Sequence, residues 1–221
     1  MNYFAHGVRF LDRPYYVAGT ALPDWLSVVD RRVRLRSRNV LPFVSDAGTL
    51  GAELAAGVMQ HLEDDAWFHK TAAFAITSAE LTVLFCETLP ADHGHRPAFL
   101  GHILTEMLLD AVLIERRPDL LDGYYSALSK LDPRVVEDAV NQMVPRGTDR
   151  LTVLIPLFVQ ERFLDDYCDT NRLLVRLNQI MRRVKLSLLP EDFERVLSRS
   201  RSIVEQRAGA LLPGFNIPPR L

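Results

Sequence analysis

Cysteine, net charge and long apolar runs are all scarce in this chain of 221 residues. Two cysteines, Cys86 and Cys168, are too few for a disulfide framework and are typical of a reducing compartment. A formal net charge of −2 gives no global positive field, so a nucleic-acid partner is not indicated. The longest apolar runs, near residues 151–159, are too short to cross a bilayer, and no signal peptide is evident. We therefore expect a cytoplasmic protein without a transmembrane segment.

Several common catalytic motifs are also missing. The chain has no Gly-x-Ser-x-Gly, no phosphate-cradling glycine loop and no Cys-x-x-Cys, which argues against serine hydrolase, nucleotide-binding and thioredoxin-like chemistry. Its length and its hydrophobic fraction of 48% are enough for one well-buried core. We expect one domain over residues 1–221, with an irregular tail over about 212–221.

Apolar spacing predicts helices along almost the whole chain, so the expected fold class is all-α with about seven to nine helices. Thr49 to His69 and Pro97 to about Arg117 each have the composition of one helix. Asp132-Pro133 predicts a helix start with an N-cap and a proline at the first position. Thr77-Ser-Ala-Glu80 has the form of a capping box, and Pro23 also favours a first turn.

Two stretches place polar residues on otherwise apolar helices. His61, Asp65 and His69 are spaced four apart, and so are His102, Glu106 and Asp110. Residues four apart share one face of a helix. A buried polar stripe needs partners, and a metal ion is one way to supply them.

Histidine and carboxylate ligands together suit Zn, Mn or Fe better than Ca or Mg. Such a cation lowers the pKa of a bound water and polarises a phosphoryl oxygen. His6 and Asp24 lie among apolar residues near turns and are candidate further ligands. The alternative interpretation has His61 and His102 as hydrogen-bonded core residues. It leaves the carboxylates Asp64, Asp65 and Asp110 exposed.

The stretch from Arg31 to Arg38 alternates basic residues with apolar or small ones, which predicts extended backbone. Alternation directs the even-numbered arginines to one side and Val33 and Leu35 to the other. We expect Arg32, Arg34 and Arg36 to contact an acidic substrate or a phosphate. The alternative interpretation is a solvated charged face.

Around the candidate metal ligands, the sequence resembles the acyl-carrier-protein phosphodiesterase family, a divergent helical relative of the HD-domain phosphohydrolases. The resemblance begins at Met1-Asn-Tyr-Phe-Ala-His6 and continues at Ala18-Gly-Thr-Ala-Leu-Pro-Asp24-Trp25. It includes Gly57-Val-Met-Gln-His61 through Asp65, His102–Leu109, and Leu177-Asn-Gln-Ile-Met-Arg-Arg183. Two departures are Leu62-Glu63, where the family has arginines, and Glu106-Met107, where the family has Asp-His.

The resemblance implies a single HD-like helical domain and a metal-dependent phosphodiesterase. Its substrate would be acyl-carrier protein or a similar phosphodiester. Among the ligands, His61, Asp65, His102 and Glu106 would hold a divalent cation, and His6, Asp24 and His69 would complete or orient the set. Asp64 or Asp110 would accept the proton. The same order of ligands is similar to that of zinc-dependent phospholipase C and related nucleases. The remaining alternative is a non-enzymatic helical protein that retains part of a metal site. The sequence leaves the oligomeric state open.

Overall fold

All regular structure in the computed structural model, which describes residues 1–46, 48–90 and 94–213, is helical. The α-helices of these residues are α1 (Tyr3–Gly7), α2 (Pro14–Val29), α3 (Ser37–Val44), α4 (Leu50–Phe68), α5 (Ala72–Thr88), α6 (Pro97–Arg116), α7 (Pro118–Leu128), α8 (Pro133–Met143), α9 (Leu151–Glu161), α10 (Thr170–Val184) and α11 (Glu194–Leu211). Three 3-10 helices lie at Val8–Phe10, Phe163–Cys168 and Glu191–Phe193.

The all-α prediction is thus confirmed over the described residues, whereas the predicted number of helices is too low. Short helices such as α1 and α3 span too few turns to show a clear apolar period in the sequence. Most of the predicted tail lies outside the described residues. The HD-like architecture stays a prediction.

The helix start predicted at Asp132-Pro133 is confirmed. Asp132 accepts a hydrogen bond from the backbone N–H of Arg134 at 2.9 Å, and α8 begins at the following proline. Two predicted starts are wrong. Thr77 lies inside α5, where its hydroxyl donates to the carbonyl of Ala73, because Thr71 is the N-cap. Pro23 lies inside α2, which begins at Pro14.

Contacts along the chain group into two compact units. The first comprises Met1–Trp67 and Arg117–Arg162, and the second comprises Phe68–Arg116 and Phe163–Leu221. Each unit is therefore built from two separate stretches of sequence. The single domain over residues 1–221 stays a prediction.

The first unit is organised around a close crossing of α2 and α4 at two glycines. A Cβ on Gly19 would lie 2.8 Å from the Cα of Gly57 and 2.3 Å from the carbonyl oxygen of Leu54. A Cβ on Gly57 would lie 2.2 Å from the carbonyl oxygen of Tyr16. Only residues without a side chain allow backbones to approach this closely. The crossing sets Thr20, next to Gly19, against the turn of α4 that carries His61.

Aromatic side chains fill the rest of the core of this unit. Trp25 and Phe158 are almost fully buried, and their rings meet edge to face with centroids 5.2 Å apart. Phe4, on the short α1, packs against Tyr124 with centroids 5.9 Å apart. These contacts fix α1, and therefore His6, against the longer helices.

The second unit packs α5, α6 and α11 against one another. At the contact of α5 and α6, a Cβ on Gly101 would lie 2.7 Å from the carbonyl oxygen of Ser78. Among the described helices, α6 is long and apolar enough to cross a membrane, but 67% of its apolar window is buried inside the protein. Its apolar character is therefore explained by its place in the core of this unit.

The glycine crossing generates the first prediction. Gly57→Ala should lower the free energy of unfolding by at least about 2 kcal/mol, because the new methyl group would meet backbone atoms that cannot move aside. Gly51→Ala, on the same helix, is the matched control, since its Cβ would have only one neighbour within 4 Å, at 3.9 Å. It should raise stability by about 0.5–1 kcal/mol, the ordinary gain for alanine in a helix. Urea unfolding measures both, and equal effects would contradict the crossing.

Candidate metal-binding groups

The first unit brings His6, His61 and Asp65 together, and we call these three residues the buried group. One ligand atom from each lies within 4.8 Å of the others. His6 comes from α1, whereas His61 and Asp65 come from α4 one turn apart. The predicted pairing of His61 with Asp65 is therefore present, and the structure adds His6 to it.

A backbone carbonyl fixes the tautomer of His61. The ring atom Nδ1 lies 2.8 Å from the carbonyl oxygen of Thr20. A carbonyl accepts only, so Nδ1 must carry a proton and donate it. In the neutral ring, Nε2 then carries no proton, and its lone pair is available to bind a metal ion. That atom lies 3.5 Å from Oδ2 of Asp65.

The carboxylate of Asp64 fixes the tautomer of His6. Its Nδ1 lies 3.2 Å from Oδ2 of Asp64. Burial alone would raise the pKa of Asp64, but hydrogen bonds from His6 and Gln60 outweigh it, and the pKa is lowered. Because the carboxylate is ionised, Nδ1 of His6 is the donor. Its Nε2 points toward Asp65, 3.3 Å from Oδ1, and makes no hydrogen bond within the described residues.

Both imidazoles therefore direct Nε2 at the same carboxylate. The rings stack with centroids 4.1 Å apart and planes 25° from parallel. If both rings were neutral, their Nε2 lone pairs would face the oxygens of Asp65. The α-amino group of Met1, 2.7 Å from Oδ1 of Asp65, offsets part of the resulting repulsion, and extra protons or a cation would offset the rest. Metal-bound histidines commonly donate their other ring N–H to a carboxylate or a carbonyl, as both do here.

Titration directions agree with this arrangement. Burial would raise the pKa of Asp65, but the nearby imidazoles of His6 and His61 and the positive charge of the N-terminus hold it well below its usual range. Burial would lower the pKa of His61, but the hydrogen bond to Asp65 and the charge of Asp24 raise it. The α-amino group of Met1 also donates to Oδ1 of Asp65 at 2.7 Å. The group thus attracts positive charge.

Depth differs among the three ligands. The side chain of His6 is fully buried and that of His61 is 5% exposed, whereas 31% of the Asp65 side chain is exposed. Solvent therefore reaches the group from the side of Asp65. Asp24, a predicted ligand, is half-buried on α2 one turn beyond Thr20. It acts on His61 through its charge and is not among the ligand atoms that lie within 4.8 Å of one another.

The second unit brings His69, His102 and Glu106 together, and we call these three residues the open group. Nε2 of His69 lies 2.7 Å from Oε1 of Glu106, and Nε2 of His102 lies 3.4 Å from the same oxygen. The side chains of the two histidines are 32% and 43% exposed. Burial would raise the pKa of Glu106, but hydrogen bonds from His102 and His69 lower it to about 2.

Local structure explains the open group. His102 and Glu106 are one turn apart on α6, and His69 directly follows the last residue of α4. Phe74 packs against both imidazole rings, with each centroid distance 4.9 Å. The ring of Phe74 thus limits the orientations that both histidines can adopt beside Glu106.

Six of the seven predicted metal ligands thus fall into two groups of three, each within one unit, and the seventh, Asp24, belongs to neither group. The alternative interpretation, that the carboxylates are exposed, is wrong for Asp64, which is 9% exposed, and for Asp110, which is buried. Asp110 lies one turn beyond Glu106 on α6. Sequence reasoning missed the carbonyl of Thr20 and the side chain of Gln60. Every residue has a backbone carbonyl, so no residue pattern could have predicted the role of the Thr20 carbonyl.

The arginine stretch follows the predicted alternation. Arg32, Arg34 and Arg36 are exposed, whereas Val33 and Leu35 are buried. Residues 33–36 have no helical structure, as predicted. The predicted extended backbone is wrong for Arg31 and Arg32, which form a turn, and for Ser37 and Arg38, which begin α3. Substrate contact by these arginines stays a prediction.

Comparisons of this chain with protein-family models, with curated proteins and with solved structures give no match. The resemblance to the acyl-carrier-protein phosphodiesterases therefore stays a prediction.

The buried group generates a pH prediction for protein stripped of metal by a chelator. His61 has a raised pKa when folded, so its contribution to stability is complete below pH 6.5 and is lost as pH rises through the raised pKa. The melting temperature should therefore fall as pH rises above 6.5. Asp65→Asn should flatten this fall, because it removes the charge that holds the proton. An unchanged slope in Asp65→Asn would contradict the assignment, and differential scanning fluorimetry measures both.

Proposed function

We propose that this chain is a metal-dependent phosphohydrolase, most simply a phosphodiesterase that acts on acyl-carrier protein or on a similar phosphodiester. One observation carries the proposal. Two buried imidazoles, whose Nδ1 atoms donate to Thr20 and Asp64, direct both Nε2 atoms at the carboxylate of Asp65. Holding these lone pairs close to a carboxylate costs free energy, because like partial charges face each other. A bound cation would offset that cost.

The donor set fits a transition metal. His6, His61 and Asp65 would supply two nitrogens and an oxygen, which suits Zn, Mn or Fe and does not suit Ca or Mg. Three protein ligands leave a coordination position open, as catalytic sites require. The partial exposure of Asp65 gives a substrate or water a route to that position. The open group offers a second set of the same composition.

When bound, the cation would polarise a phosphoryl oxygen and lower the pKa of a water. Hydrolysis then forms a bond from the water oxygen to phosphorus and breaks one ester bond, and the departing alcohol takes up a proton. Asp64 and Asp110 are the predicted proton acceptors. Asp64 already accepts from His6, Gln60 and Arg9, so we assign it the role of orienting His6. Asp110 lies one turn beyond Glu106 on α6, so its proposed role as proton acceptor applies to a cation held by the open group.

An acidic, helical carrier protein as substrate would use the exposed arginines. Arg32, Arg34 and Arg36 present three cations side by side, and such a field speeds encounter with an acidic partner in a salt-dependent way. Cys86 and Cys168 form no disulfide with each other, which is consistent with a cytoplasmic location, and we propose this location together with the function.

A structural metal site is the second candidate, and the burial of the histidines favours it. With side chains 0% and 5% exposed, His6 and His61 resemble ligands of a closed site that stabilises a fold. The protein would then bind the cation and hydrolyse nothing.

Activity separates the two candidates. Protein loaded with Mn or Zn should hydrolyse bis-p-nitrophenyl phosphate or holo-acyl-carrier protein, and chelated protein should not. His61→Ala should lower kcat/KM by about 100-fold or more, the upper range for disrupting a metal site. His95→Ala is the matched control, since His95 is half-buried and belongs to neither group, and it should retain activity. Phosphatidylcholine as a further substrate tests the phospholipase alternative.

Metal-loaded, folded protein that hydrolyses none of these substrates would favour the structural site. Activity that survives both chelation and His61→Ala would contradict the phosphohydrolase proposal altogether.

A further inference from the structure

Arginines from two separate stretches of the first unit line a cavity of about 210 Å³. The chain segment before α3, together with the first turn of α3, supplies Arg32, Arg34, Arg36 and Arg38, and the turn after α8 supplies Arg146. The cavity shares no lining residue with the buried group. It is therefore a candidate site in its own right.

Packing holds these arginines in place. Val33, Leu35 and Val40 are buried on the inner side of the segment, which turns the intervening arginines outward. Val144 is also buried, and it holds in place the turn that contains Arg146, which lines the same cavity. The convergence of cations is thus imposed by the fold and is not left to flexible side chains alone.

Compensating negative charge is sparse around the cavity. Asp30 pairs with Arg32 at 3.2 Å, and the hydrogen bond from Arg32 lowers the pKa of Asp30. In the part of the chain that the structure describes, Arg34, Arg36, Arg38 and Arg146 have no carboxylate within 4.0 Å. Five arginines against one carboxylate leave a local excess of positive charge, although the whole chain has a net charge of −2.

A helix end adds to the positive field. The N-terminus of α3 begins at Ser37, and its N-cap, Arg36, makes no side-chain capping hydrogen bond. The first N–H groups of a helix have no intrahelical partner and carry a partial positive charge. Arg36, Arg38 and Asn39, all at this end of α3, line the cavity. Anions bind at helix ends of this kind.

We propose that this cavity binds the phosphate groups of a small organic phosphate or pyrophosphate. Guanidinium groups bind phosphate oxygens in pairs, which explains why arginine and not lysine surrounds the cavity. A volume of about 210 Å³ is below the roughly 300–1,000 Å³ of pockets for drug-sized ligands. One or two phosphoryl groups with a small substituent match it better than a whole nucleotide. The proposal goes beyond the phosphohydrolase function and does not depend on it.

The test uses the full chain after chelation, so that no metal is available to bind the anion. Pyrophosphate at 10 times its dissociation constant should raise the melting temperature by about 3 °C over chloride at matched ionic strength. Arg36→Gln with Arg146→Gln, which removes one cation from each stretch, should abolish most of this shift. Isothermal titration calorimetry should show one site in the wild type, with affinity at least about 10-fold weaker in the double variant.

Charge-matched and site-matched controls separate the possible outcomes. Arg31→Gln with Arg134→Gln removes two exposed arginines that do not line the cavity and should keep the shift. His61→Ala should also keep it, so loss of metal chemistry leaves the proposal intact. Absence of pyrophosphate binding by wild-type protein in calorimetry would overturn the proposal. Equal weakening in both arginine pairs would overturn it too, since the effect would then be one of overall charge.

Discussion

The contact between Gly19 and Gly57 is the constraint on which the candidate site depends. It allows the backbones of α2 and α4 to touch, and only that approach brings the carbonyl of Thr20 within hydrogen-bonding distance of His61. The hydrogen bond selects the tautomer that leaves Nε2 free, and helix spacing then directs Nε2 at Asp65 one turn away. A methyl group at either glycine would separate the helices and release the imidazole. Site chemistry in this unit therefore begins with two residues that have no side chain.

The second constraint is electrostatic. The fold holds two imidazoles and a carboxylate together with their lone pairs converging, with His6 fully buried and solvent in contact with Asp65. Burial alone would favour neutral groups, yet the pKa of Asp65 is lowered and that of His61 is raised. The α-amino group of Met1 supplies some positive charge, and the arrangement favours additional positive charge. Protons supply it at low pH and a divalent cation would supply it at neutral pH, which links folding, pH and metal binding. The open group is more hydrated and is less constrained in this way.

Residue patterns predicted what depends on one helix at a time. The helices α4 and α6, the four-residue spacings of His61 with Asp65 and of His102 with Glu106, and the alternation around Val33 and Leu35 were all accessible from periodicity. The sequence did not predict which ligands share a group, because His6 reaches Asp65 only through the packing of α1. The capping-box pattern at Thr77 failed because a threonine hydroxyl also bonds to a carbonyl of the preceding turn inside a helix. The arginine cavity needed Arg146, which is more than a hundred residues away in sequence.

We propose that His6, His61 and Asp65 form a cation site. The most direct measurement is the metal content, by mass spectrometry, of folded protein purified without chelator. We predict about one equivalent of a transition metal in the buried group. It should be lost in His61→Ala and in Asp65→Asn, but retained in His69→Ala, which alters only the open group. Full metal content in a folded His61→Ala and Asp65→Asn double variant would contradict the account, and so would wild-type protein that carries no metal and binds none when Zn or Mn is added.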